Sequence, residues 1–314
     1  MAHYQTAADV FDGWRKQVLA GATPIRYPIG HGALERIDVG PGLVTLIGGA
    51  PGIGKTAFTM QAVIDALRLT PELRVVVCNI EMHPTVLLSR QLGRLSGVDV
   101  TAIRNGQLDP AHADRLDQAF NTLEALADRL CFVRPPFDLK NVGAVADVFR
   151  ADLVVLDYIQ RIPAPGKHGD RRSSIDANMN YLRQFADEGM AVLVVSAVAR
   201  TKGLGGRSSY DGDSLNLASF RESSELEFGA DDAFILVPDP KVEETIVLRH
   251  LKARYTEPRD VELRFDTARQ SFTSLNSTKR STREKVRAES GLKAVWGRTR
   301  AAREDDVEDA DEDQ

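Results

Sequence analysis

Cysteine is close to absent. Cys78 and Cys131 are the only two in 314 residues, and each lies inside an apolar, strand-like run. Two lone thiols of this kind argue against a disulfide framework or a cysteine-ligated metal, and suit packing in a reducing compartment. Long apolar runs are lacking as well. None approaches the roughly 20 residues that cross a bilayer, and the opening MAHYQTAADVFDGW has no signal-peptide pattern. A cytoplasmic protein with no membrane partner is therefore expected. No internal repeat is visible.

What is present reads as an ordinary globular chain, with 43 % hydrophobic and 27 % charged residues. The net charge of −5 is unevenly spread. Residues 304–314 (EDDVEDADEDQ) hold eight acids and no base, whereas 277–303 hold nine Lys/Arg against two Glu. A basic stretch of this kind fits either nucleic-acid contact or a solvated tail, and charge alone does not separate them. The acidic tip has almost nothing to bury and is expected to be disordered.

Three parts are expected: an N-terminal arm over 1–27, a body over 28–276 and a tail over 277–314. In the arm, Ala7, Val10, Phe11, Trp14 and Val18 fall three to four apart, on one apolar face of a helix over 4–19. The glycines and prolines of AGATPIRYPIGHG then separate it from the body. Such a helix either packs on its own domain or docks on a neighbouring subunit. In the body, strands are expected at Leu43–Gly48, Arg74–Ile80, Leu130–Val133, Asp152–Asp157, Met190–Ser196, Asp232–Val237, Glu244–Leu251 and Val261–Phe265. Helices are expected over 55–69, 84–96, 109–128, 140–150 and 173–188. Runs such as VVVCNI and AVLVVS show no polar alternation, the pattern of parallel strands covered on both faces. The prediction is a doubly wound, mostly parallel α/β sheet. Its last two strands are too closely linked for a crossover helix and should form an antiparallel hairpin. Residues 200–219, rich in Gly, Ser and charge, read as a long loop that is either functional or disordered, and 164–174 as a shorter one of the same kind.

Gly49 to Thr56 (GAPGIGKT) matches G-x-x-x-x-G-K-S/T between a strand and a helix, the context in which this motif cradles phosphate. Backbone N–H groups of Gly52, Gly54, Lys55 and Thr56 would point at the phosphates at the helix N-terminus, with Gly49 and Ala57 bounding the cradle. Lys55 would reach the β/γ oxygens of ATP and the Thr56 hydroxyl would ligate Mg²⁺. Asp157 ends LVVLD, so it faces the same crevice as Lys55 and is the candidate carboxylate for Mg²⁺. An aspartate that merely caps the next turn is the plainer alternative. Glu81 ends RVVVCNIE and projects toward the crevice too, either as the group that orients the attacking water or as a surface glutamate.

The stretch from Pro28 to about Phe272 resembles the C-terminal motor domain of DnaB-like replicative helicases, RecA-fold P-loop ATPases that assemble into rings. The resemblance rests on five motifs in the family's order: GAPGIGKT, NIEMHPTVLLSRQLGRLSGVDVTAIRNGQLD, VVLDYIQRI, FRESSELEFGAD and HLKARY. It implies that Glu81 polarises the lytic water. Lys252 and Arg254 would reach the γ-phosphate of a neighbouring subunit's ATP, although a pair of solvated cations at a hairpin is the plainer reading. Arg221, Glu222 and Ser224 would fall in the loop that grips single-stranded DNA. The implied partners are single-stranded DNA, further copies in a ring of six, and a possible loader or primase. The 4–19 helix would be the linker that docks on the next subunit.

The chain also departs from that pattern. Where the family reads S-Q-L-N-R, this sequence reads SAVAR, so Ala197 and Ala199 replace a Gln and an Asn while Arg200 remains. That Gln is expected to sense the γ-phosphate and relay to the DNA loops. Ser224 stands in place of a Gly and Phe228 in place of a Gln. No counterpart of the family's N-terminal helical collar is expected. Two functions follow: an ATP-driven, ring-forming DNA translocase or helicase, or a derived ATPase that acts as a nucleotide-dependent switch or assembly factor without unwinding. A phosphotransferase ring would need a second acid beside Glu81, and Met82 stands there.

Overall fold

The apolar runs without alternation are central strands, buried on both faces. The computed structural model describes residues 4–275, apart from 165, 167–169, 199–200, 203–207, 210–216, 221–223 and 240–241. These residues belong to one unit, Met1–Asn276, and the basic and acidic tail lies outside the described residues. β1 (Val44–Gly49), β2 (Val75–Asn79), β3 (Leu130–Phe132), β4 (Leu153–Asp157), β5 (Ala191–Ala197), β8 (Asp232–Pro238), β9 (Thr245–Ala253), β10 (Val261–Asp266) and β11 (Ser271–Ser274) form a nine-stranded sheet in the order β11-β10-β9-β8-β1-β5-β4-β2-β3. From β3 to β8 neighbouring strands run parallel; β8 to β11 are antiparallel. The expected fold class therefore stands, with an antiparallel portion larger than a hairpin. β11 was not expected because SFTS is short and carries only one large apolar side chain. β10 alternates buried and exposed residues, as a strand with one solvated face should.

Pleating divides the strands between two cores. Val75 and Val77 pack on one side of the sheet, and Val76 and Cys78 on the other. The first core holds the helix α2 (Lys55–Leu69), whose Phe58, Val63, Ile64 and Leu67 are almost fully buried. The second takes the inner faces of α6 (Leu139–Phe149) and α7 (Arg171–Asp187). Cys78 is buried, and desolvation pushes its thiol up to about 12, so it packs as a small hydrophobe.

Local chemistry explains where expected boundaries moved. α3 (Pro84–Ser96) begins with proline at its first turn and ends on Gly97 at φ 69°. A six-residue helix not foreseen, α4 (Val100–Asn105), follows at once, capped by Asp99 and closed by Gly106 at φ 67°. The single helix expected over 109–128 is α5 (Ala113–Glu124) with a short 3₁₀ turn at each end. Within the 200–219 loop, β6 (Thr201–Lys202) and β7 (Ser208–Ser209) pair as a small antiparallel ribbon. α8 (Ser224–Gly229) lies within the FRESSELEFGAD motif and was not expected.

The arm helix is present as α1 (Ala7–Leu19), closed at its start by a Thr6–Asp9 capping box. It buries nothing: Val10, Phe11, Trp14 and Val18 all stay exposed. Among the described residues no helix is long and apolar enough to cross a membrane.

Candidate nucleotide site and cationic finger

β1 sits between β5 and β8, near the middle of the sheet, and delivers the Gly49–Thr56 loop to the carboxyl edge. Two constraints make Gly54 a glycine. Its φ is 97°, and a Cβ there would lie 2.9 Å from Phe272 and 3.0 Å from Phe265. Gly52 adopts φ 81° with open space around it, so there the backbone alone makes the demand. α2 begins at Lys55, which leaves the first N–H groups of the helix free to face an anion. Ala57 turns its side chain into the core at 1 % exposure and can contribute only its backbone to the cradle.

The Lys55 ammonium folds back on its own loop, donating to the carbonyls of Gly49 (2.8 Å) and Ala50 (2.9 Å). Burial pulls its pKa down, while Asp157 and Glu81 oppose that pull. The register of β2 and β4 sets Asn79 opposite Asp157, so both strands end level at the crevice. Asp157 is buried and bonded to the Thr56 side chain, and its other close partner is the Asn79 amide at 2.8 Å. Burial pushes the Asp157 pKa up, against the pull of Thr56 and Lys55; nearby Glu81 pushes it up further, and Asn79 works the other way.

The pairing of one buried carboxylate with one hydroxyl fits Mg²⁺. That ion prefers hard oxygen donors and is commonly held by one or two carboxylates together with substrate phosphates. Among the described residues no group of three or more His, Cys, Asp or Glu side chains could hold a metal unaided.

Asn79 is the residue that sequence reasoning missed. Its Nδ2 donates to Asp157, and its Oδ1 accepts from the backbone N–H groups of Glu81 (3.1 Å) and Met82 (2.8 Å). One side chain thus ties the turn carrying Glu81 to Asp157. The available signal was a polar residue breaking the apolar run VVVCNI. Glu81 itself stands at the mouth of the crevice, paired with Arg161 at 3.3 Å. Both members are substantially exposed, so solvent screens the pair and it is easily parted. Arg161 also donates to the Tyr158 hydroxyl at 3.0 Å.

Ala197 ends β5 beside Gly49. Gln160 holds it through the backbone, accepting from the Ala197 N–H (3.1 Å) and donating to the Ser196 hydroxyl (2.7 Å) and the Ala197 carbonyl (3.1 Å).

Lys252 and Arg254 do not join this cluster. β9 pairs Ala253 with Asp232, and β8 pairs Asp232 with Thr45, near the start of β1. The two cations therefore lie toward the opposite end of the sheet: at ~3.3 Å per residue of β1, Lys252, level with Leu46, is about 10 Å along the strand from Gly49, and Arg254, one residue past Ala253, about 17 Å. The Lys252 ammonium donates to the Phe228 carbonyl at 3.2 Å, and Phe228 is itself exposed. Arg254 forms an ion pair with Asp231 at 2.8 Å. Ser224 starts α8, whereas Arg221 and Glu222, like Ala199 and Arg200, lie outside the described residues.

The chain matches the DnaB-like helicase C terminal domain family over residues 36–274. Among curated relatives it is similar to the replicative DNA helicase DnaB of Treponema pallidum (strain Nichols), 26 % identical over 233 residues that cover 73 % of this chain and 50 % of that protein. Similarity to the replicative DNA helicase DnaB of Pasteurella multocida (strain Pm70) is 28 % over 214 residues, 64 % of this chain and 44 % of the relative. The chain thus spans half or less of the length of these relatives. Among solved structures, the ATPase domain of G40P superposes with a TM-score of 0.75 at 18 % identity, over 87 % of this chain and all of that one. A DnaB-like replicative helicase, solved with attention to its interactions with primase, gives 0.72 at 16 %, over 87 % and 67 %. At these identities the structural likeness establishes the fold.

Proposed function

The chain belongs to the DnaB-like helicase C terminal domain family, and from that premise we propose that it is the ATP-hydrolysing motor of a ring that translocates on single-stranded DNA. One observation carries the reading. The crevice holds a phosphate cradle, two carboxylates and a lysine, while the cations suited to neutralise a γ-phosphate sit at the far end of the same sheet. An arginine cannot span that distance, so Arg254 and Lys252 serve a neighbouring copy's nucleotide, and each copy receives the same service in return. A closed ring of six satisfies every site.

In this account Lys55 leaves the Gly49 and Ala50 carbonyls for the β/γ oxygens of ATP, and Thr56 and Asp157 hold Mg²⁺. The ion supplies charge neutralisation on the transferred phosphoryl group. Glu81, released from Arg161, accepts the proton of the attacking water, and Arg254 of the neighbour stabilises the charge that develops. Arg221, Glu222 and Ser224 grip the DNA backbone without reading bases. A loader or primase is the fitting replication partner, and the cytoplasm the fitting compartment.

The uncovered face of α1 supports assembly as well. A groove of about 430 Å³ between α3, α5 and β3, lined by Leu88, Leu92, Phe120, Leu123 and Phe132, offers an apolar seat for Phe11 and Trp14 of a neighbouring copy. The parts are then an arm over 1–27, a RecA-like motor over 28–276 and a tail over 277–314.

Ala197 favours a second reading, a nucleotide-dependent switch that does not unwind. A methyl group beside Gly49 can neither sense a γ-phosphate nor pass its state to DNA. ATPase turnover with and without single-stranded DNA, beside a forked-duplex unwinding assay, separates the two. Stimulation by DNA together with unwinding supports the motor; turnover indifferent to DNA and no unwinding support the switch.

A further inference from the structure

Asp231 lies between β1, α7 and the end of β9, and its side chain is 1 % exposed. One carboxylate oxygen, Oδ2, accepts from the Val44 N–H at 2.8 Å and from Arg183 Nη1 at 2.6 Å. The other, Oδ1, faces Arg254 Nη1 at 2.8 Å, and the Asp231 carbonyl accepts from the Arg254 N–H at 3.0 Å. Arg183 is fixed in turn, donating to the Gly42 carbonyl at 3.1 Å and to Asp187 at 3.2 Å. Burial works against the charge on Arg183, yet Asp231, with help from Asp187, outweighs it and lifts its pKa.

A buried carboxylate shared by two guanidinium groups is expensive to desolvate and weak evidence of stabilisation, so its placement calls for another reason. The Arg254 side chain is 42 % exposed and only its Nη1 meets Asp231, as an ion pair that makes no hydrogen bond to Oδ1, so other N–H groups of the guanidinium remain for a ligand. A guanidinium tethered at one nitrogen, on a backbone bonded to the same aspartate, loses less freedom when its remaining N–H groups meet a phosphate. The same carboxylate grips the first residue of the strand that ends in the chain's own phosphate loop.

We propose that Asp231, backed by Arg183, is a positioning residue that presents Arg254 to the neighbouring copy's nucleotide. It also ties the finger a copy lends to the strand leading to the site it owns. The inference rests on the proposed role of Arg254 in trans.

The test uses full-length chains mixed in pairs. Asp231→Asn keeps the shape and loses the charge. On its own it should lower kcat about 100-fold with the KM for ATP unchanged, the order of loss that a 1 Å misplacement of a catalytic group produces. Mixed with Lys55→Ala chains, which own no nucleotide site but carry sound fingers, Asp231→Asn chains should regain turnover, because their own site is intact. The double variant Lys55→Ala/Asp231→Asn should fail to restore Arg254→Ala chains, whereas Lys55→Ala alone restores them. Equal restoration by the double variant overturns the role of Asp231 and leaves the finger in trans standing. An Asp231→Asn chain that turns over at the wild-type rate, or that no partner rescues, also overturns it. Failure of Lys55→Ala to restore Arg254→Ala overturns the trans finger and this inference together.

Discussion

The two ends of the sheet are built by different means. At the carboxyl end, the phosphate cradle is eight consecutive residues, and the carboxylates arrive as the last residues of their strands or one turn beyond. At the other end, Asp231 reaches Val44 across 187 positions and Arg183 across 48. The first end is specified by local spacing, the second by tertiary contact. The contrast fits their proposed tasks. A cradle must match one small anion and can be encoded in a loop, whereas a finger that serves another copy has to be braced against the body that lends it.

Breaking the carboxyl end should produce the largest effect. Glu81→Gln is expected to bind ATP normally and to lose hydrolysis by about 10²- to 10⁴-fold, the usual yield of a positioned general base. Phosphate release measured beside nucleotide binding checks it, and undiminished turnover removes Glu81 from the chemistry. Asn79→Ala comes next. It frees the Glu81 turn and leaves Asp157 short of one donor, so kcat should drop roughly 10- to 100-fold as the geometry loosens. A parallel loss of ATP affinity would instead mark Asn79 as part of the cradle.

On stability, as distinct from turnover, Asp157 gives a smaller effect with a diagnostic sign. Burial holds its pKa above the ordinary carboxylate value. The folded chain therefore takes up this proton more readily than the unfolded one. The group's contribution to stability is full below its unfolded pKa and is lost as pH rises through the folded value. Above its folded pKa the ionised carboxylate costs stability, so Asp157→Asn should raise Tm there while abolishing Mg²⁺-dependent hydrolysis. A lower Tm would mean that its bonds to Thr56 and Asn79 outweigh burial. The smallest effect on folding belongs to a control that touches neither end. Trp14 packs edge-on against Phe11 and buries nothing in its own copy, so Trp14→Glu should change the unfolding free energy by no more than about 0.5 kcal/mol. Sedimentation of the same variant should show weaker assembly.

The same contrast explains what could be read before the structure. The placement of the GKT turn, Glu81 and Asp157 at one edge of the sheet was legible because strand ends and motif spacing are properties of neighbouring residues. So was the sheet, since strands covered on both faces cannot afford polar alternation. Asn79, Gln160 and Asp231 were not legible. Each does part of its work through a partner on another strand or helix: the break in VVVCNI marks Asn79 as polar but not as a donor to Asp157, and nothing local marks Gln160 or Asp231 as meeting a distant backbone N–H. α4 and α8, six residues each, are too short to show a helical period. β11 carries a single large apolar residue, Phe272, among small ones, and is held by the edge of β10 and by Gln61, the latter distant in sequence.

The central claim, that cradle and finger are halves of one site in different copies, is tested most directly by mixing two inactive chains. Lys55→Ala cannot hold ATP but lends a finger, and Arg254→Ala holds ATP but lends none. The account predicts that each alone is silent and that the mixture hydrolyses ATP, with turnover peaking at an intermediate ratio. A mixture that assembles normally and stays silent at every ratio would contradict it.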